Sequence, residues 1–150
     1  MTGVQTCALP IYSIQAAILN IKLAHLDEYN AARQNAASHY NKAFANNAKL
    51  KTPFVAAYSN HVYHQYTLQL TGVDRDGLIA HLTEKKIPAM IYYPVPGHKQ
   101  KMFDSFGIGN IDLPVTDELT TKVISLPIHT ELDEEQLIFI TKSVLEFTNN

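Results

Sequence analysis

Imidazole and phenol groups crowd two stretches of this 150-residue chain. The first is His61-Val62-Tyr63-His64-Gln65-Tyr66, and the second is Tyr92-Tyr93-Pro94-Val95-Pro96-Gly97-His98-Lys99-Gln100. Side chains of these types donate and accept hydrogen bonds while offering flat apolar surface, which suits recognition of a polar ligand. In the second stretch two prolines and a glycine dictate a tight connection that presents His98 and Gln100 beside two tyrosines. An ordinary turn at a strand end, with its side chains laid along the surface, would use the same residues.

Other chemistries fit the residues less well. Seven histidines invite a metal reading, and His61 with His64 is the closest pair. A strand sends residues three apart to opposite faces, so the two cannot share an ion, and no Cys, Asp or Glu at ligand spacing completes a site. No metal is expected. Cysteine catalysis has only Cys7 to draw on, a Gly-x-Ser-x-Gly elbow is absent, and no glycine-rich phosphate loop occurs.

The periodicity of the chain indicates how these groups are carried. Ser13 to about Asn46 contains no Gly or Pro and is rich in Ala, with apolar residues at Ile14, Ala17, Ile18 and Ile21 and a second stripe at Leu19, Leu23 and Leu26. It reads as one long helix, apolar over a wide arc at its start, whose first turns need a large partner. Asn46-Asn47 and Thr52-Pro53 mark a loop. Val62, His64, Tyr66, Leu68 and Leu70 alternate with Tyr63, Gln65, Thr67 and Gln69, a strand with His64 and Tyr66 toward the core and His61 freer at its entrance. Asp74 caps a helix carrying Leu78, Ile79 and Leu82 that ends at Lys85-Lys86. Ala89–Tyr93 reads as a strand, Pro114–Lys122 as a short helix with Val115 and Leu119 facing one way, and Val123–Pro127 as a short strand. Asp133 opens the last helix, with Gln136 as capping-box partner and Leu137, Ile140, Val144 and Phe147 on its apolar face. The expected fold is α+β: a long N-terminal helix, then a two-layer small domain whose short, mainly antiparallel sheet is covered by helices.

Composition agrees with a packed domain. Hydrophobic residues make up 46% and charged residues 17%, which excludes disordered and collagen-like classes. With a net charge of −2 and no basic run longer than Lys85-Lys86, neither nucleic acid nor an anionic membrane is an expected partner. No apolar run approaches the roughly 20 residues of a membrane-spanning helix, and a cytoplasmic location is expected.

The start of the chain stands apart. Met1-Thr2-Gly3-Val4-Gln5-Thr6-Cys7-Ala8-Leu9-Pro10-Ile11 resembles the conceptual translation of a short-read sequencing adapter, and Tyr12 would share its codon with that adapter. Such segments are set aside before the fold is considered. The expected organisation is then residues 1–12 of adapter origin, an interdomain helix over 13–46 and a C-terminal small domain over 47–150. The lone cysteine becomes a property of a sequencing reagent.

Ser13-Ile14-Gln15-Ala16-Ala17-Ile18-Leu19, Lys22-Leu23 and His25-Leu26-Asp27-Glu28 resemble the interdomain helix of DegT/DnrJ-type nucleotide-sugar aminotransferases. These are pyridoxal-phosphate enzymes of the aspartate aminotransferase superfamily, fold type I. The two aromatic stretches, and Ser125-Leu126-Pro127-Ile128-His129 with Leu132-Asp133-Glu134-Glu135-Gln136, are similar to later blocks of that family in the same order. The resemblance implies a C-terminal domain cut from a longer homodimeric enzyme of polysaccharide or antibiotic-sugar synthesis. That parent would use pyridoxal 5'-phosphate to move an amino group, usually from glutamate, to a keto sugar nucleotide. The cofactor acts as an electron sink, and the lysine that forms the aldimine would lie upstream, so the chain itself is expected to hold no catalytic residue, to bind no cofactor and to be inactive. By the family's pattern His98, in its Pro-x-Pro-x-His-x-Gln turn, reaches the sugar nucleotide, with Tyr92 and Tyr93 shaping the site and His61 and Tyr63 near its rim. Gly97 stands where the family usually has Leu. Family members without the lysine act as regulators. A non-catalytic module that binds nucleotide sugars, or one that pairs through its apolar helix, is the alternative.

Overall fold

The computed structural model describes residues 9–106 and 111–149. Most of the Met1–Ile11 segment set aside above lies outside the described residues.

Helix α1 spans Leu9–Leu23 and α2 spans Leu26–Phe44. The single helix expected over Ser13–Asn46 is therefore broken. At Ala24-His25 the backbone N–H of His25 turns back to Lys22 O at 3.0 Å, and His25 has a non-helical φ of −108° and ψ of 8°. No Gly or Pro marks the break, but Asp27 and Glu28 occupy the first turn of α2, where carboxylates favour a helix start. The apolar residues Ile14, Ile18, Leu19, Ile21 and Leu23 of α1 are all exposed. Burial begins in α2, at Ala36, Ala37, Tyr40 and Phe44.

The sheet has three antiparallel strands in the order β1 (Leu50–Lys51), β2 (Tyr66–Leu70) and β3 (Val123–Leu126). Strand β1 forms where only a loop was expected, its Leu50 opposite Leu70. Strand alternation sends Tyr66, Leu68 and Leu70 to one face, where they meet Ile124, Leu126 and Leu50. On the opposite face Thr67 Oγ1 and Ser125 Oγ lie 2.8 Å apart across the strands.

Helices α2, α3 (Arg75–Glu84) and α5 (Glu134–Thr148) enclose the apolar face through Leu78, Leu82, Leu137, Ile140 and Val144. Their starts follow the local sequence. Asp74 accepts from the Gly77 N–H at 3.1 Å, and Asp133 with Gln136 forms a reciprocal capping box. Helix α4 (Pro114–Lys122) leads directly into β3 and buries none of its residues; Val115 is exposed rather than packed beside Leu119.

Two expected strands are shorter than their patterns. The alternation beginning at Val62 fails because Tyr63 adopts a positive φ of 46° and turns its ring into the core, which leaves His64 exposed. The expected core position of His64 is thus taken by Tyr63. Of Ala89–Tyr93 only Met90 pairs, through two backbone bonds with Ser125 on the outer edge of β3. Pro88 and the proline-rich turn at 94–96 limit the pairing on either side, since proline supplies no ladder N–H.

Candidate functional site

Three separated stretches meet at one open cleft of about 270 Å³ on the side of the sheet that carries Ser125. His64 and Gln65 come from the approach to β2, Pro88, Met90 and Tyr92 from the segment paired to the edge of β3, and Ser125 to His129 from β3 and its exit. Prolines, Met90, Leu126 and Ile128 make the surface largely apolar, and among the described residues no Lys, Arg, Asp or Glu lines it. The arrangement can hold an uncharged ring against apolar surface while imidazole, amide and phenol groups bond its edges.

Helix α2 fixes the first wall. Arg33 Nε donates to Val62 O at 3.2 Å while its Nη2 donates to Asn30 at 2.8 Å, and Gln34 Nε2 donates to Asn60 Oδ1 at 2.8 Å and His61 O at 3.0 Å. Three bonds, two of them to backbone carbonyls, therefore clamp the segment just before His64 to a helix that is itself packed in the core, and the Arg33–Asn30 bond within the helix orients the guanidinium. The third wall is tied to the same helix, because the Tyr40 hydroxyl donates to Pro127 O at 2.8 Å. Tyr66 donates to Asn41 Oδ1 at 2.7 Å, and its ring lies 4.9 Å from that of Tyr40. Burial holds both phenols well above the usual tyrosine range.

The residues singled out in the sequence are distributed unevenly around this cleft. Tyr92 lines it. Tyr93, joined to Tyr92 by a cis peptide, faces away into a shallow depression with Pro94, Val95, Lys99, Gln100 and Lys101; the two rings stand edge-on, 6.0 Å apart. His61 accepts the Tyr63 N–H on Nδ1 at 3.0 Å and its ring lies tilted 4.2 Å from the Tyr63 ring, so it shapes the turn before β2. Tyr63 is a core residue, 6% exposed. His98 is buried at 8% exposure against Asp117 of α4 and does not line the cleft.

His64 and His129 line the cleft although the residue patterns did not assign them there. For His129 a signal existed, the His at the end of the Ser125–His129 block. Its Nδ1 accepts the Glu131 N–H at 3.2 Å, which leaves Nε2 to donate.

No lysine lines the cleft, and Lys85, Lys99 and Lys122 are paired with Glu146, Asp117 and Glu118. Among the described residues no group of three or more His, Cys, Asp or Glu could hold a metal ion, and no helix is long and apolar enough to cross a membrane.

Comparison with known proteins places this geometry in context. The model of the DegT/DnrJ/EryC1/StrS aminotransferase family matches residues 8–145. A UDP-N-acetyl-3-dehydro-alpha-D-glucosamine 3-aminotransferase from Acidithiobacillus ferrooxidans is 40% identical over 124 residues, 83% of this chain and 32% of that protein. A pleiotropic regulatory protein from Geobacillus stearothermophilus is 37% identical over 136 residues, 89% of this chain and 36% of that protein. The crystal structure of S. venezuelae DesV in complex with a ketimine intermediate superposes with a TM-score of 0.84 at 31% identity, covering 91% of this chain and 36% of that one. The chain thus spans about a third of the length of the relatives it matches. A fold-type-I aminotransferase architecture and a family match across most of its length lead to one conclusion: this chain belongs to the DegT/DnrJ/EryC1/StrS aminotransferase family.

Proposed function

We propose that the chain is the C-terminal small domain, with its preceding interdomain helix, of a cytoplasmic, homodimeric nucleotide-sugar aminotransferase that uses pyridoxal phosphate. The observation that carries this reading is the convergence of the His64-Gln65, Tyr92 and Ser125–His129 stretches on one cleft without charged side chains. Such a surface forms one wall for the uncharged part of a sugar nucleotide and leaves the cofactor and its lysine to other parts of the enzyme. The exposed apolar residues of α1 provide a surface for those parts. The amino donor is an amino acid, with glutamate the first to test. Tyr92, on the cleft, faces the substrate in the assembled enzyme; His98 and Tyr93 approach it from the proline-rich turn outside the cleft, and His61 and Tyr63 support the rim.

The direct test is expression of the uninterrupted reading frame from the source genome, followed by an assay for amino transfer from glutamate to UDP- and dTDP-linked keto sugars. Transfer that falls at least tenfold when Tyr92 is changed to Ala is the expected result; a reading frame without a lysine for the aldimine, or no transfer, would overturn it. A non-catalytic module is the second reading, favoured by the absence of any lysine from the cleft. Micromolar binding of a nucleotide sugar by the 150-residue chain would support that module, whereas half of a shared site binds hardly at all.

A further inference from the structure

Among the described residues between Pro88 and Lys122, His98 alone is buried. Tyr93, Val95, Met102 and Phe106 of the same excursion are exposed, so its apolar side chains do little to fix it in place. What meets His98 is Asp117, from the first turn of α4. Its Oδ1 lies 3.4 Å from His98 Nε2, and its Oδ2 lies 2.8 Å from the Nζ of Lys99. One carboxylate therefore contacts two consecutive side chains of the proline-rich turn.

The His98 contact is close but misaligned, so Nε2 and Oδ1 are both buried without a hydrogen-bond partner. Unpaired buried polar atoms are rare because each forfeits its hydration. A carboxylate only accepts, so the arrangement that satisfies both atoms has the proton on Nε2, donated to Oδ1 after a small rotation of the ring. Catalytic hydrogen bonds are often long in unliganded sites and tighten when the site is complete. With Nε2 committed, Nδ1 is the nitrogen left to a ligand.

We propose that Asp117 is the positioning residue for His98: its carboxylate selects the Nε2-protonated tautomer and holds the turn to α4. The functional meaning of this role rests on His98 facing the substrate; the geometry does not. Nuclear magnetic resonance of the chain labelled with nitrogen-15 at histidine reads the tautomer directly. The expected His98 pattern is the Nε2-protonated one, with the tautomer ratio falling roughly tenfold in Asp117→Ala, the scale of a hydrogen bond to a charged acceptor. Asp117→Asn, which keeps an acceptor oxygen, should retain much of the bias, and Lys99→Met should leave it unchanged. An Nδ1-protonated pattern in the unaltered chain would overturn the proposal even if Asp117→Ala failed to fold. So would an unchanged ratio in folded Asp117→Ala, or a Lys99→Met effect equal to it. None of these readouts requires amino transfer, so failure here and failure of the proposed activity are separable.

Discussion

Replacing Tyr40 by Phe isolates the bond that ties the cleft to the core. The Tyr40 ring is fully buried and lies 6.1 Å from Phe44 and 4.9 Å from Tyr66, and phenylalanine preserves those contacts. What is lost is the donor to Pro127 O at 2.8 Å, on the wall that continues through Ile128 to His129. Leaving this part-buried carbonyl without its donor costs about 1–3 kcal/mol. At a urea dependence of about 2 kcal/mol per molar, the unfolding midpoint should fall by about 0.5–1.5 M with an unchanged slope. Circular dichroism across a urea series measures both quantities. A midpoint within about 0.2 M of the parent would refute the reasoning, because it would show that the carbonyl finds water at no cost once the hydroxyl is gone. The same variant should broaden the resonances of His129 more than those of Leu78, which lies in α3 away from that wall.

Alkaline pH provides a second test of the same pair. Burial raises the Tyr40 and Tyr66 phenols above their unfolded value, so the folded state holds these protons more tightly. Their contribution is complete below about pH 10 and is lost as pH rises further, by up to about 1.4 kcal/mol per pH unit for each phenol. Urea midpoints should therefore fall steeply above about pH 10, and Tyr66→Phe should roughly halve the slope; a flat profile contradicts the burial of both hydroxyls. Gly77 offers a test of helix capping. An alanine Cβ there would lie 2.5 Å from Asp74 Oδ2 and 3.1 Å from Phe147 Cζ. Gly77→Ala should thus forfeit the cap, worth about 1 kcal/mol, and fail to show the similar gain normally found when alanine replaces a helical glycine. In an Asp74→Ala background the same change should become stabilising relative to that background, which a four-variant thermal-melt cycle can measure.

Much of the architecture is governed by interactions within a few residues, and for that reason it is legible in the chain. Asp74 and Asp133 start α3 and α5 through bonds to N–H groups three residues away. The apolar spacings of Leu78 and Leu82, and of Leu137, Ile140 and Val144, set the faces that those helices bury. The short strand beginning at Val123 and the helix from Pro114 to Lys122 form where the residues indicate. The apolar start of the chain is also readable as a surface in need of a partner, and it stands exposed.

The site was less legible because distant residues decide it. Alternation predicts that His64 points inward, but Arg33 and Gln34 seize the preceding backbone from α2, and Tyr63 turns over to fill the core. Burying a tyrosine ring there outweighs keeping residues 62–65 in the strand, a competition between packing and pairing that a local pattern does not report. His98 carries the family's turn in its sequence, yet it is buried beside Asp117, beyond a segment with no periodicity to link them. The sequence by itself determined the family, the capped helices and the chemical types available for recognition. Only tertiary structure decided that His64, Tyr92 and His129 share a cleft while His98 is buried beside a carboxylate, because those placements arise from contacts between separate elements rather than from the propensities of any one of them.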